Sequence, residues 1–250
     1  MEIPKNHPRY LSLKTREKIV RGMKEGIVHK TGLIAHGRGE AFDYLIGETT
    51  IPPVEEAEKV AAALLLLADK PVISLNGNVV ALSSRGCINL SKAVPADLEV
   101  NLFHRTEDRI EKMVNILKKE GAKKVYGKKG DSEIPNLSHD RGLCDKEGIY
   151  SADVILVPLE DGDRCEALKK MGKKVIAIDL NPLSRTARCA DVTIVDNVIR
   201  AIPNLISFVK DFKRKGNERK DLLKEVSVWD NHKMLNSVLH FIKERLVEYY

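Results

Sequence analysis

From residue 71 onward the chain repeats one pattern, a short run of aliphatic and β-branched residues followed by a stretch of helical periodicity. The runs fall at Pro71–Leu75 (PVISL), 98–103 (LEVNLF), 123–126 (KKVY), Val154–Pro158 (VILVP), 174–179 (KVIAID) and 192–195 (VTIV). Several are apolar without alternation, as strands are when both faces of a parallel sheet are covered. Between them, Thr106 is placed to cap a helix with Glu107 and Asp108 in its first turn. Its stripe is Ile110, Met113, Val114 and Leu117, and Gly121 stops it. Ile199, Ile202, Leu205, Ile206 and Val209 form a similar face. Strands joined by helices predict an α/β fold with a doubly wound, mainly parallel sheet. Such a sheet takes ligands outside the carboxyl ends of its strands.

The flanks differ. Residues 1–70 read as a helical N-terminal cap, with a helix near Thr15 whose stripe is Val20, Met23 and Ile27. A Gly-rich turn at Gly37 and Gly39 and a short helix towards Ile46 follow. Pro52 and Pro53 then start a helix carrying the apolar run 60–68. Residues 71–212 form the core. Residues 213–250 form a C-terminal helical extension, reached through the basic stretch 210–220. Its last helix has Leu235, Val238, Leu239, Ile242 and Leu246 on one face, which suits either pairing of two copies or packing on the chain's own sheet. Residues 127–148 read as a long polar loop.

Composition narrows the function. An apolar fraction of 43% and a mixed-sign charged fraction of 31% over 250 residues suit one large folded unit and exclude general disorder. The run 60–68 is far short of the ~20 residues of a spanning helix, and the N-terminus has no apolar core of the kind a secretory signal needs. Forty-two basic against 36 acidic residues leave +6, which suits anionic small ligands or nucleic acid. Cys87, Cys144, Cys165 and Cys189 contain no C-x-x-C pair, Cys165 and Cys189 read as reduced structural thiols, and a cytoplasmic setting is expected. No G-x-G-x-x-G follows the first strand, and G-x-S-x-G and H-E-x-x-H are absent. The histidines show no metal-ligand spacing, so no intrinsic metal site is expected. The stretch 210–220 lacks aromatic interleaving, so nucleic acid is the lesser reading.

Candidate site residues cluster at strand ends. PVISL runs into Asn76-Gly77-Asn78, and LEVNLF into His104-Arg105 before the cap Thr106. Amides and a helix start there suit a phosphate. KVIAID ends at Asp179, with Leu180, Asn181, Arg185 and Thr186 close behind. An acid at a strand end suits ribose hydroxyls, and a nearby Arg suits phosphates. Residues 32–39 (GLIAHGRG) miss a P-loop, since Arg38-Gly39 stands where Lys-Ser/Thr belongs. They read equally as an anion cradle containing Arg38 or as a plain turn. Arg16 continues the stripe of Val20 and Met23, and so either snorkels outward or faces a cleft.

Three strings, residues 3–48, 74–82 (SLNGNVVAL) and 175–197 (VIAIDLNPLSRTARCADVTIVDN), resemble the archaeal phosphopantothenate synthetases, the 4-phosphopantoate–β-alanine ligases. The likeness covers nearly the whole chain. It implies a Rossmann-like fold, a homodimer, and ATP-dependent joining of 4-phosphopantoate to β-alanine through an acyl-adenylate in coenzyme A synthesis. AMP and diphosphate are released, and Mg2+ is carried by the nucleotide. The implied ATP contacts are Arg16, Arg38, Asp179, Leu180, Asn181, Arg185, Thr186, Asn197 and Val198; the residue reading offers no independent reason for the last two. Arg16, Arg38 and Arg185 are the cations expected to neutralise charge during the reaction. Asn76, Asn78, His104 and Arg105 are expected to hold the phosphate of phosphopantoate. The competing reading is a nucleic-acid-binding regulator on a nucleotide-binding fold.

Overall fold

A computed structural model of the chain describes residues 3–7, 9–159 and 162–248. Three helices come first, α1 (Tyr10–Lys24), α2 (Lys30–Ile46) and α3 (Pro52–Leu67). Then follow β1 (Pro71–Leu75), α4 (Gly77–Ala93), β2 (Asp97–Val100) and α5 (Glu107–Lys119). A small hairpin, β3 (Ser132–Glu133) and β4 (Leu143–Cys144), separates these from β5 (Val154–Pro158), α6 (Gly162–Lys170), β6 (Lys174–Ile178), α7 (Arg185–Cys189) and β7 (Val192–Ile194). Helices α8 (Val198–Arg214), α9 (Arg219–Ser227) and α10 (Asn231–Val247) end the fold.

The main sheet is parallel, in the order β2-β1-β5-β6-β7. The chain winds outward from β1 to β2, then returns to β5 on the other side of β1. The strand order therefore reverses between β1 and β5, where such sheets open a crevice. Alternate strand residues serve opposite layers. Ile73, Leu75, Leu156, Ile176 and Ile178 share a core with α3, α4, α5 and α8, while Val72, Ile155, Val157, Val175 and Ala177 pack with α6 and with Ile134, Leu137 and Ile149. The continuous apolar runs thus have their predicted cause. The larger core also takes in Val54 to Leu67 side chains of α3, Leu222 of α9, and Met234, Leu235, Val238 and Ile242 of α10, so both flanks share it.

Three expectations are corrected. Helix α2 runs unbroken through Gly37 and Gly39, where a turn and a short helix were expected. Gly inside a helix costs up to about 1 kcal/mol, but α2 needs bare backbone for contact. A Cβ at Gly32 would lie 2.4 Å from Asn78 Oδ1, whereas Gly37 and Gly39 have room for one. Helix α1 buries Thr15, Ile19 and Gly22 and exposes Val20, because it approaches α4 through Gly22, which hydrophobic periodicity does not register. Residues 123–126 make no strand; Tyr126 alone bridges to Glu99 beyond the sheet edge.

The segment 127–148 is the expected long loop apart from the small hairpin and one short 3-10 turn, and hydrogen bonds to buried carboxylates pin it. Buried Glu99 accepts from the N–H groups of Asp145 and Ile149, and Asp145 accepts from those of Gly127 and Gly130. Finally, the apolar face of α10 is covered by the chain's own α2 and α3, with Leu235, Val238 and Ile242 buried. Leu246, on the same face, is exposed.

Candidate active site

Helix α2 lies across the carboxyl ends of the strands, held at three places. Asn78, just after β1, donates from Nδ2 to the Gly32 carbonyl at 2.8 Å. Gly39 meets Leu180, just after β6. Asn197, just after β7, donates from Nδ2 to Asp43 Oδ2 at 3.0 Å. A cavity opens at each end of the helix.

The first, about 330 Å³, lies at the switch point. The Asn76 side chain caps α4 by accepting from Val79 N–H, and its amide donates to the Pro158 and Leu159 carbonyls, joining the ends of β1 and β5. Gly77 is required there, since a Cβ would stand 2.2 Å from the Ile27 carbonyl oxygen. The first turns of α2, capped by His29, and of α4 both line the cavity, so two sets of N–H groups face it. Arg109 and Arg141 add positive charge. Arg109 is anchored by the carbonyls of His104 and Ile27, and Arg141 donates from Nε to Asn101 Oδ1 at 3.3 Å. The rings of His29 and His104 stack at 3.8 Å. Burial, then the nearby His104 and Arg109, hold the His29 pKa below its usual value. Ala35, Leu102, Phe103 and Leu159 supply an apolar wall. Such a cavity suits an anionic head on a branched apolar body.

Three of the predicted phosphate residues, Asn76, Asn78 and His104, line this cavity. Arg105 does not. It donates to the Gly127 carbonyl and borders a separate depression with Glu107, Glu111 and Lys128. Helical phase explains the difference, because Arg105 precedes the cap Thr106 while Arg109 follows it by three, on the side facing the cavity. Sequence reasoning missed Arg109, Arg141 and His29. The spacing from Thr106 could have found Arg109, but nothing local marks Arg141.

The residues expected to meet ATP lie along the ends of β6 and β7 and on α1 and α2. Asp179, one residue beyond β6, accepts from Asn181 N–H and the Ser184 hydroxyl. Burial lifts its pKa, against the pull of Ser184, Asn181 and Arg38. Asn181 accepts from Leu183 N–H, and Ser184 caps α7, which begins with Arg185 and buried Thr186. Arg38 is exposed on α2. Arg16 reaches across from α1 to hold both oxygens of Glu40 at 2.9 Å. It therefore turns towards α2 instead of continuing the buried stripe. Asn197 caps α8, whose first residue is buried Val198. Arg185 is exposed and paired with Glu166 of α6 at 3.0 Å.

The second cavity, about 310 Å³, lies under the C-terminal half of α2 and is bounded by Arg9, His36, Glu40, Asp43, Glu48 and Arg200 among others. Behind it, Arg200 bridges Asp43 and Asp196, Thr50 donates to Asp196, and Asn204 donates to Thr50 and to Glu58. Among the described residues no group of three or more His, Cys, Asp and Glu side chains is placed to hold a metal, and no helix is long and apolar enough to cross a membrane.

A parallel sheet with helix starts at its switch point and a carboxylate just beyond β6 defines a Rossmann-like class of α/β protein. Residues 53–245 match the family model described as phosphopantothenate/pantothenate synthetase, and the chain belongs to that family. It is 54% identical to the 4-phosphopantoate–β-alanine ligase of Thermococcus kodakarensis over 98% of this chain and 94% of that one. It is 51% identical to the protein of the same name from Methanosarcina mazei, over 98% and 96% of the two chains. The Methanospirillum hungatei protein of that name is 50% identical, over 98% of each.

Proposed function

We propose that this chain is an ATP-dependent ligase joining the carboxylate of 4-phosphopantoate to the amine of β-alanine, in coenzyme A biosynthesis. The observation that carries the reading is identity of 50–54% over 98% or more of the chain to relatives that all bear that ligase name. The rim supports it with separate places for an anionic acid and a nucleotide.

In this reading the phosphate of phosphopantoate sits at the first turns of α2 and α4, among Asn76, Asn78, His104, Arg109 and Arg141, with Arg105 dropped. ATP lies along β6 and β7. Asp179 accepts from the ribose hydroxyls, Asn181 reaches the sugar or base, and Leu180, Thr186, Asn197 and Val198 frame the nucleotide. Arg16, Arg38 and Arg185 neutralise phosphate charge, Arg185 exchanging Glu166 for the nucleotide. A carboxylate oxygen of phosphopantoate attacks the α-phosphorus and diphosphate leaves. The amine nitrogen of β-alanine then attacks the acyl carbon, AMP leaves, and the nitrogen loses its proton to water. Both steps gain from positioning and fixed positive charge. Mg2+ enters as the counter-ion of the nucleotide. The enzyme acts as a homodimer in the cytoplasm.

Exchange of labelled diphosphate into ATP, measured without β-alanine, tests the reading. Exchange that depends on phosphopantoate is expected. Salt-sensitive RNA binding with no exchange would favour the nucleic-acid reading.

A further inference from the structure

We propose that the cavity under the C-terminal half of α2 is the amino-acid subsite, in which Arg9 binds the carboxylate and Glu48 the ammonium of a short zwitterionic amino acid. This rests on the ligase reading above, which requires such a substrate but leaves its place open.

Arg9 carries the inference. Its Nε and Nη2 are buried and make no hydrogen bond among the described residues. These two atoms form one edge of the guanidinium, the edge that takes both oxygens of a carboxylate side by side. A buried donor without a partner is costly, and two on one edge of a residue that borders the cavity call for an acceptor of matching shape. The plane of the group is already set, because it lies over the Tyr44 ring at 4.7 Å. The backbone is set too: Arg9 N–H donates to His7 Nδ1 and its carbonyl accepts from Leu13 N–H in α1.

The other charges on the wall say which anion fits. Glu40 is taken by Arg16, and Asp43 by Arg200. Glu48 forms no ion pair among the described residues, though it lines the same cavity. Its backbone has a φ of +53°, and its N–H is held by the Asp43 carbonyl at 2.8 Å. A non-glycine residue in that conformation persists where its surroundings fix it, often at a functional site. On the wall Lys5, Arg9 and Arg200 balance Glu40, Asp43 and Glu48, which suits a zwitterion better than a triphosphate or a phosphorylated acid. A small molecule with a carboxylate at one end and an ammonium at the other matches a guanidinium edge without a partner and a carboxylate without an ion pair. The cavity also adjoins the nucleotide residues, since Asn197 lines it and Glu40 holds Arg16. An amine bound there stands beside the activated acid.

The test uses the full-length protein with Arg9→Lys, Arg9→Ala and Glu48→Gln. Arg9→Lys keeps the charge and removes the fork. Each should raise the KM for β-alanine by about tenfold or more. The KM for ATP, the KM for phosphopantoate, and phosphopantoate-dependent ATP–diphosphate exchange should stay at wild-type values. With 3-aminopropan-1-ol, an amine without the carboxylate, wild type and Arg9→Ala should react at the same slow rate. An unchanged KM for β-alanine, a parallel loss of exchange, or an equal loss with the aminoalcohol would overturn the assignment. Wild-type protein without exchange would remove the ligase reading itself, and the amino acid as occupant with it.

Discussion

Glu58 stands fully buried on α3 behind the second cavity; its Oε2 accepts from Asn204 at 2.9 Å and its Oε1 has no partner among the described residues. Burial, then the charge of Asp196, push its pKa from 4.5 to about 9, so the folded protein holds it neutral at pH 7. The unfolded chain ionises the group near 4.5. Its contribution to stability is fully present below that value and is lost as pH rises towards 9, at about 1.4 kcal/mol per pH unit. Glu99, also buried, acts with the same sign only up to about 7. Between pH 7 and 8.5, therefore, Glu58 should remove about 2 kcal/mol from wild-type stability. Glu58→Gln keeps an acceptor for Asn204 and has nothing to titrate, so its stability should be nearly flat over that interval. Urea denaturation followed by far-ultraviolet circular dichroism at several pH values measures both slopes. Parallel slopes for wild type and variant would show that Glu58 is already ionised in the fold, and the argument would fail.

Arg109→Ala should raise the KM for phosphopantoate about tenfold or more and leave that for ATP unchanged, while Arg105→Ala should alter neither; initial-rate kinetics with each substrate varied separates them. Asp179→Asn should weaken ATP binding by about 1–3 kcal/mol and barely change binding of the 2′,3′-dideoxy analogue in calorimetry. Equal losses would mean that Asp179 acts through its turn. Val238, fully buried between α10 and its neighbours, should not tolerate Asp. That variant should melt several degrees lower with an unchanged mass by light scattering below its transition, whereas dissociation at an unchanged melting point would put α10 in an interface.

The sheet was legible because burial on both faces forces apolar runs, and β1, β5 and β6 carry them almost without interruption. The cap at Thr106 was legible because it is a local hydrogen bond, to Arg109 N–H. Helix α2 was not. Gly reads as punctuation in a sequence, but at Gly32 it is a packing requirement imposed by Asn78, distant in the chain. The same distance hid Arg141, which the buried carboxylate of Glu99 and the amide of Asn101 help bring to the switch point. The second cavity needs the N-terminal Arg9 to meet the end of α2, a contact without local pattern. Asn197 caps α8 in the structure, and only the family likeness singled it out for the nucleotide.

Product accounting tests the central claim most directly. The protein is incubated with ATP, 4-phosphopantoate and β-alanine, and nucleotides and acids are separated and quantified. One AMP and one diphosphate should appear for each 4′-phosphopantothenate formed, with no net product when either acid or amine is left out. ADP and inorganic phosphate as the nucleotide products, or AMP release independent of phosphopantoate, would contradict it.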